Sequence, residues 1–265
     1  MKIYISADIE GITGVSHWDE TIKERPGYLE SARQMSAEVK AACEAANDAG
    51  ATEIWVKDAH ETARNIDFSI LPENVKMVRG WSDDPICMLQ ELDTSFDACI
   101  LIGHHAPSGS SGSPLSHTYS NENSSIKING VLASEFLIIN WTAAFMNVPV
   151  VFVSGDKAIC EEAKTFNPSI FTLAVKEGIG NSIISIHPGM AVKRTRDFCF
   201  KALSGNKEFK IMLPDNFLVE ISYKNHGKAY KMGFYPGMKK INANTLSYET
   251  KDFYEVLRML LFTAL

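Results

Sequence analysis

Apolar runs at residues 3–9, 52–56, 98–102 and 148–153 each end in turn or charged residues. These are Glu10-Gly11, Lys57-Asp58-Ala59-His60, Gly103-His104-His105 and Ser154-Gly155-Asp156. Near-continuous apolar runs bounded in this way suit strands covered on both faces, as in a parallel sheet. Between them the period changes. Tyr28, Ala32, Met35, Val39, Ala42 and Ala46 recur at steps of three and four, which is one face of a helix that Gly50 stops. Residues 85–92 read as a short helix opened by Pro85, and residues 157–166 as another. Residues 134–146 are strongly apolar and of helix length, with Glu135 in the first turn. Ile126 and Ile128 alternate ahead of Asn129-Gly130, a hairpin or strand-to-helix turn. The order strand, helix, strand, helix, strand, loop, helix, strand predicts an α/β three-layer sandwich with a mostly parallel sheet.

The last third is patterned differently. Residues 188–203 look helical, with Ala191, Phe198, Ala202 and Leu203 on one face. Residues 217–223 alternate, residues 228–234 predict a partner strand, and residues 251–265 a further helix. This predicts a smaller C-terminal α+β domain. The expected division is residues 1–185 and 186–265, with the boundary near 181–188. Residues 107–116 form a Ser/Gly/Pro-rich loop.

Composition narrows the function classes. The chain has 265 residues, 45% of them hydrophobic and 22% charged, as in a soluble globular protein. A net charge of −6 without a basic run argues against nucleic acid as the main partner. The five cysteines are odd in number and contain no C-x-x-C, the pattern of reduced, buried thiols rather than a disulfide framework or a cysteine-ligated zinc site. The first apolar run is too short for a signal peptide, and no stretch reaches transmembrane length. A cytoplasmic protein with no membrane partner is expected.

In an open parallel sheet, ligands bind off the carboxyl ends of the strands. There the first three strands carry Asp8 and Glu10, Asp58 and His60, and His104 and His105. Taken singly, an Asp that ends a strand more often caps a turn, and Glu135 suits a helix N-terminus without any further role. His104 and His105 would point opposite ways in an extended segment, so His104, next to the Gly103 break, is chosen for the site. If Asp8, Glu10, His60, His104 and Glu135 converge, three carboxylates and two imidazoles suit two divalent cations. Zinc fits this mixed set, with manganese or cobalt as substitutes. A carboxylate such as Asp8 could bridge ions about 3.5–4 Å apart, and a bridging water would become a nucleophile. His117, just beyond the Ser/Gly loop, is either an exposed loop histidine or a catalytic side chain on a mobile segment. His17, His187 and His226 have no supporting context. No G-x-G-x-x-G, P-loop, G-x-S-x-G or H-E-x-x-H occurs.

Asp8-Ile9-Glu10-Gly11, Asp58-Ala59-His60, Gly103-His104-His105-Ala106, Ser116-His117 and Ser134-Glu135 follow the order and spacing of the D-aminopeptidase family, the M55 metallopeptidases. With Val148-Pro149-Val150, Ser154-Gly155-Asp156 and Ala174-Val175-Lys176, the chain resembles that family over essentially its whole length. The resemblance implies a two-zinc aminopeptidase acting on short peptides with a D-residue, such as D-Ala, at the N-terminus. It implies Asp8, Glu10, His60, His104 and Glu135 as metal ligands, Asp8 as the bridge, and His117 as the catalytic histidine. It also implies a homo-oligomer, a decamer of two pentameric rings with an internal chamber. Two features depart from the family. Lys57 stands where Asn is usual and could bind a substrate carboxylate, and the loop between His104 and His117 is longer. Another binuclear metallohydrolase, an amidase or phosphoesterase, is the alternative. Phosphate recognition would favour arginines, and the nearest to the motifs is Arg64. A metal-free peptide-binding protein is the non-enzymatic reading.

Overall fold

The computed structural model describes residues 1–205 and 211–265. In chain order it contains β1 (Lys2–Ala7), α1 (Tyr28–Asp48), β2 (Glu53–Asp58), β3 (Val75–Val78), β4 (Ala98–His104), β5 (Asn123–Ile128), β6 (Val131–Leu132), α2 (Glu135–Phe145) and β7 (Val150–Asp156). There follow α3 (Lys157–Phe166), β8 (Phe171–Ile179), β9 (Ser182–Ser185), α4 (Pro188–Ser204), β10 (Phe217–Tyr223), α5 (His226–Met232), β11 (Lys239–Lys240), β12 (Thr245–Thr250) and α6 (Phe253–Thr263).

The first sheet has the order β3-β2-β1-β4-β7-β8-β9, parallel throughout except for β9. Its strands are apolar on both faces because both faces are covered. In β1, Ile3 and Ile5 face one core with Met35 and Val39 of α1 and Cys199 of α4, while Tyr4 faces the other with Phe136 of α2 and Ile159 of α3. These are the three expected layers. The strand order reverses between β1 and β4, the switch point at which α/β sheets open a crevice.

The second sheet, β11-β12-β10-β5-β6, is antiparallel and packs its apolar face on α2 and α6. Helix α2 lies between the two sheets. Phe136 and Ile139 join the first sheet's core, while Leu137, Ile138 and Trp141 join the second's. That double burial explains why the helix is apolar all round. It also fixes Glu135 at the junction of the layers.

Two local readings change. Residues 228–234, expected as a strand, fall largely in α5. Asn225 caps that helix, its Oδ1 accepting from Gly227 N at 2.7 Å, and β10 pairs with β12 and β5 instead. Residues 85–92 make only one 3-10 turn, Cys87–Leu89. Asn129-Gly130 closes the β5–β6 hairpin, with φ of 52° and 81° as a primed turn requires. That hairpin belongs to the second sheet, whereas α4 packs on α1 over the first. Residues early and late in the chain therefore share layers. All five cysteines are free and buried. Among the described residues no helix is long and apolar enough to cross a membrane.

Candidate metal centre

The site forms where β1, β2 and β4 end side by side. Asp8 N donates to Ile102 O at 2.9 Å, and Gly11 N donates to Gly103 O at 2.7 Å, so the loops after β1 and β4 meet backbone to backbone. Only glycine permits this approach. A Cβ on Gly103, where φ is +74°, would lie 2.2 Å from Asp8 O, and one on Gly11 would lie 1.9 Å from His104 O. From β8, the buried Lys176 reaches beneath the first loop, its Nζ donating to Glu10 O and to Val15 O. Asp58 is fully buried and accepts from Asn65 N at 2.5 Å, Ile66 N at 2.8 Å and Asn65 Nδ2 at 2.9 Å, which ties down the loop that carries His60. Ser134 caps α2, its Oγ accepting from Leu137 N at 2.9 Å, and this sets Glu135 at the first helical position.

The side chains then converge. His60 Nδ1 lies 2.9 Å from Glu10 Oε2 and 3.3 Å from Asp8 Oδ1. His105 Nε2 lies 3.3 Å from Asp8 Oδ2 and 3.2 Å from Glu135 Oε2. His117 Nε2 stands 3.8 Å from Glu135 Oε1, whose other contact is an accepted bond from Tyr119 N at 2.7 Å. The ring nitrogens that face away from the cluster are engaged by carbonyls. His60 Nε2 meets Thr21 O at 2.8 Å, His105 Nδ1 meets Ala106 O at 3.0 Å, and His117 Nδ1 meets Leu115 O at 3.0 Å. A backbone acceptor on one nitrogen fixes the tautomer and leaves the other lone pair for the site.

Electrostatics show what the cluster lacks. Burial alone would push Asp8 and Glu135 up, yet the facing imidazoles hold Asp8 well below and Glu135 below the usual carboxylate range. Burial likewise depresses His60 and His105, but Glu10 and Asp8 around the first, and Glu135 and Asp8 around the second, raise both well above an ordinary imidazole. The pocket therefore calls for positive charge. His104 is pulled down by burial, with both ring nitrogens buried and without a hydrogen-bond partner. Glu10 Oε2 and His105 Nε2 are also unpaired by hydrogen-bond geometry. Buried polar atoms are normally satisfied. Orphaned imidazole and carboxylate atoms gathered in one buried cluster fit a divalent cation, and the N/O donor set suits zinc. Ligand atoms of Asp8, His104 and Glu135 lie within 4.8 Å of one another, as do those of Asp8, Glu10 and His105, and those of His105, His117 and Glu135.

All five residues read as ligands, and His117, thus lie in one cluster. His105 was missed. The expectation that the histidine pair would point opposite ways assumed an extended chain, but Gly103 turns it through the left-handed region and the β4–β7 register shifts between Leu101 and His104. Both rings reach the carboxylates. His117 is not an exposed loop residue. Its side chain is 12% exposed, with its ring against Trp18 and stacked on His105. Lys57 is buried, donates to Gly80 O at 2.5 Å and lies 3.9 Å from the centroid of Trp81, so it does not reach into the cluster for a substrate carboxylate.

A cavity of about 820 Å³ opens from the cluster. Trp18, Ile22, Trp81 and Met88 line it, with Leu261 and Phe262 from α6. No Lys or Arg stands among its described lining residues.

The family model described as D-aminopeptidase, Peptidase M55, matches residues 1–262. A D-aminopeptidase from Bacillus subtilis (strain 168) is 28% identical over 266 residues, covering 98% of this chain and 96% of the relative. A solved structure described as the Zn-dependent D-aminopeptidase DppA from Bacillus subtilis, a self-compartmentalizing protease, superposes with a TM-score of 0.93 at 25% identity. That match covers 100% of this chain and 97% of the other.

Proposed function

The chain belongs to the D-aminopeptidase family, and on that premise we propose that it is a zinc aminopeptidase holding two ions per chain and releasing an N-terminal D-residue from short peptides. The observation that carries the reading is the position of Asp8. Its Oδ1 faces His60 and its Oδ2 faces His105, so one carboxylate serves both halves of the donor cluster. Glu10 and His60 complete one half, and Glu135 with His104 the other. His105 Nε2 stands at the same carboxylates as His104. Two divalent ions there would supply a Lewis acid for the scissile carbonyl and lower the pKa of water.

The chain's own residues do the rest. Glu10 is held by Lys176 behind its backbone, and Glu135 by the α2 cap, so neither carboxylate has to reorganise during the reaction. His117 presents Nε2 to the cavity wall beside Glu135, where it can take a proton from water or give one to the leaving amine. Trp18 and His105 pin its ring from two sides. The phosphoesterase alternative lacks the arginines or lysines that would clamp a phosphate, among the described lining residues.

The same reading makes the protein a cytoplasmic homo-oligomer, a decamer of two pentameric rings. The self-compartmentalizing character described for the solved relative supports assembly. Metal content of the purified protein, combined with a screen of D- and L-aminoacyl peptides, tests the assignment. Zinc and D-selective release of the N-terminal residue are expected. Metal-free protein active on neither set would overturn it.

A further inference from the structure

We infer that the cavity selects substrates with a large apolar side chain at the scissile bond rather than alanine, and rejects acidic ones. This rests on the aminopeptidase reading above and names the substrate class of that same site.

A volume of about 820 Å³ lies near the upper end of small-molecule sites, which run from roughly 300 to 1,000 Å³. An alanine methyl would leave most of such a wall in contact with water. The wall itself is largely apolar, formed by Trp18, Ile22, Trp81 and Met88 with Leu261 and Phe262 from α6. Burying apolar side-chain surface against it gives the free-energy difference on which selection would act.

Trp81 is held as a plate. Its Nε1 donates to Glu61 O at 2.6 Å, which satisfies the indole N–H. The Lys57 ammonium lies 3.9 Å from its ring centroid, and Lys57 is itself absent from the cavity wall. Trp81 therefore turns an apolar surface, with no donor left to satisfy, toward whatever enters. The segments that carry this wall hold unusual backbone. Glu61, Asp83 and Cys87 have φ of 44°, 60° and 48°. Non-glycine residues in this region are costly, and such strain persists where the surrounding structure over-determines it.

Charge gives the second half of the selection. Beyond the donor cluster, Glu61, Asp83 and Asp84 also line the cavity, and no described Lys or Arg does. An acidic side chain would be repelled by these carboxylates and find no lysine or arginine among the described lining residues to pair with. An apolar one meets the aromatic and aliphatic wall.

The test is a panel of amides of D-Ala, D-Leu, D-Phe and D-Glu with their L-counterparts, run on the zinc-loaded full-length protein. kcat/KM for D-Leu or D-Phe should exceed that for D-Ala by about tenfold or more, since a single methylene in an apolar pocket discriminates by roughly 10–200-fold. D-Glu should fall below D-Leu. A D-Ala amide turned over as well as or better than D-Leu and D-Phe would overturn the inference while leaving the aminopeptidase reading intact. No cleavage of any member would overturn both. Phe262→Ala, at a side chain 62% exposed and so tolerant of truncation, should narrow the D-Phe to D-Ala ratio. Trp81→Ala should do the same. An unchanged ratio in the Phe262 variant would count against the wall as the selector.

Discussion

His105 and His117 lie ring on ring, with 4.3 Å between centroids and 4° between planes. Each turns Nε2 toward Glu135, at 3.2 Å and 3.8 Å, and each engages a backbone carbonyl through Nδ1. One imidazole stands inside the carboxylate cluster and the other just outside it. On the proposed function, that arrangement would leave His117 for proton transfer without removing a donor from the cluster.

His117→Ala should accordingly retain its zinc and lose turnover by about 10²–10⁴-fold, the usual contribution of a general acid or base. KM should change much less than kcat. Metal analysis beside steady-state kinetics checks this. A variant that lost metal would make His117 a ligand.

Asp8→Ala should be the most damaging single substitution, because its two oxygens face opposite halves of the cluster. Zinc content should fall at both sites and hydrolysis should cease. Two retained equivalents of zinc per chain would show that Asp8 does not serve both ions.

Lys176 is pulled down to about 8 by burial, against the raising effect of Asp156, Glu10 and Glu38. Its two bonds to the loop after β1 place Glu10. Lys176→Met keeps the length and removes the donors, so zinc affinity should weaken by about tenfold or more, from the loss of charge-assisted hydrogen bonds. Competition with a chromophoric chelator measures it. Wild-type affinity in a folded variant would leave Lys176 no part in placing Glu10.

Glu162 gives a pH dependence with a definite sign. Burial raises its carboxyl from 4.5 to about 7, opposed by the bond it accepts from Ser134 Oγ. The folded state then holds a proton that the unfolded chain has released. Its contribution is fully present below about pH 4.5 and is lost as pH rises toward about 7, on the order of 3 kcal/mol in all. Glu162→Gln should therefore gain melting temperature relative to wild type at pH 8 but not at pH 4.5. Equal shifts at both pH values would contradict the burial effect.

Much of this site was legible in the chain because strand ends carry it. Asp8, His60 and His104 follow apolar runs whose parallel pairing places them on one rim, and Glu135 opens a helix whose start is marked by Ser134. What was not legible depends on backbone conformation or distant pairing. The facing of His104 and His105 turns on the left-handed φ at Gly103. Residues 228–234 read as a partner strand for the alternating 217–223, but Asn225 starts a helix there. The placement of β5 and β6 in the second sheet depends on pairing Ile126 with Ile221, residues far apart in sequence. The shared burial of α2 between the sheets follows only from that pairing.

The most direct measurement is a zinc titration of chelator-stripped, full-length protein, following hydrolysis of a D-aminoacyl amide from the panel above. The stripped protein should show no activity, and activity should rise on titration and saturate at two zinc equivalents per chain. Full activity without metal, or saturation at a single equivalent, would contradict the two-zinc reading.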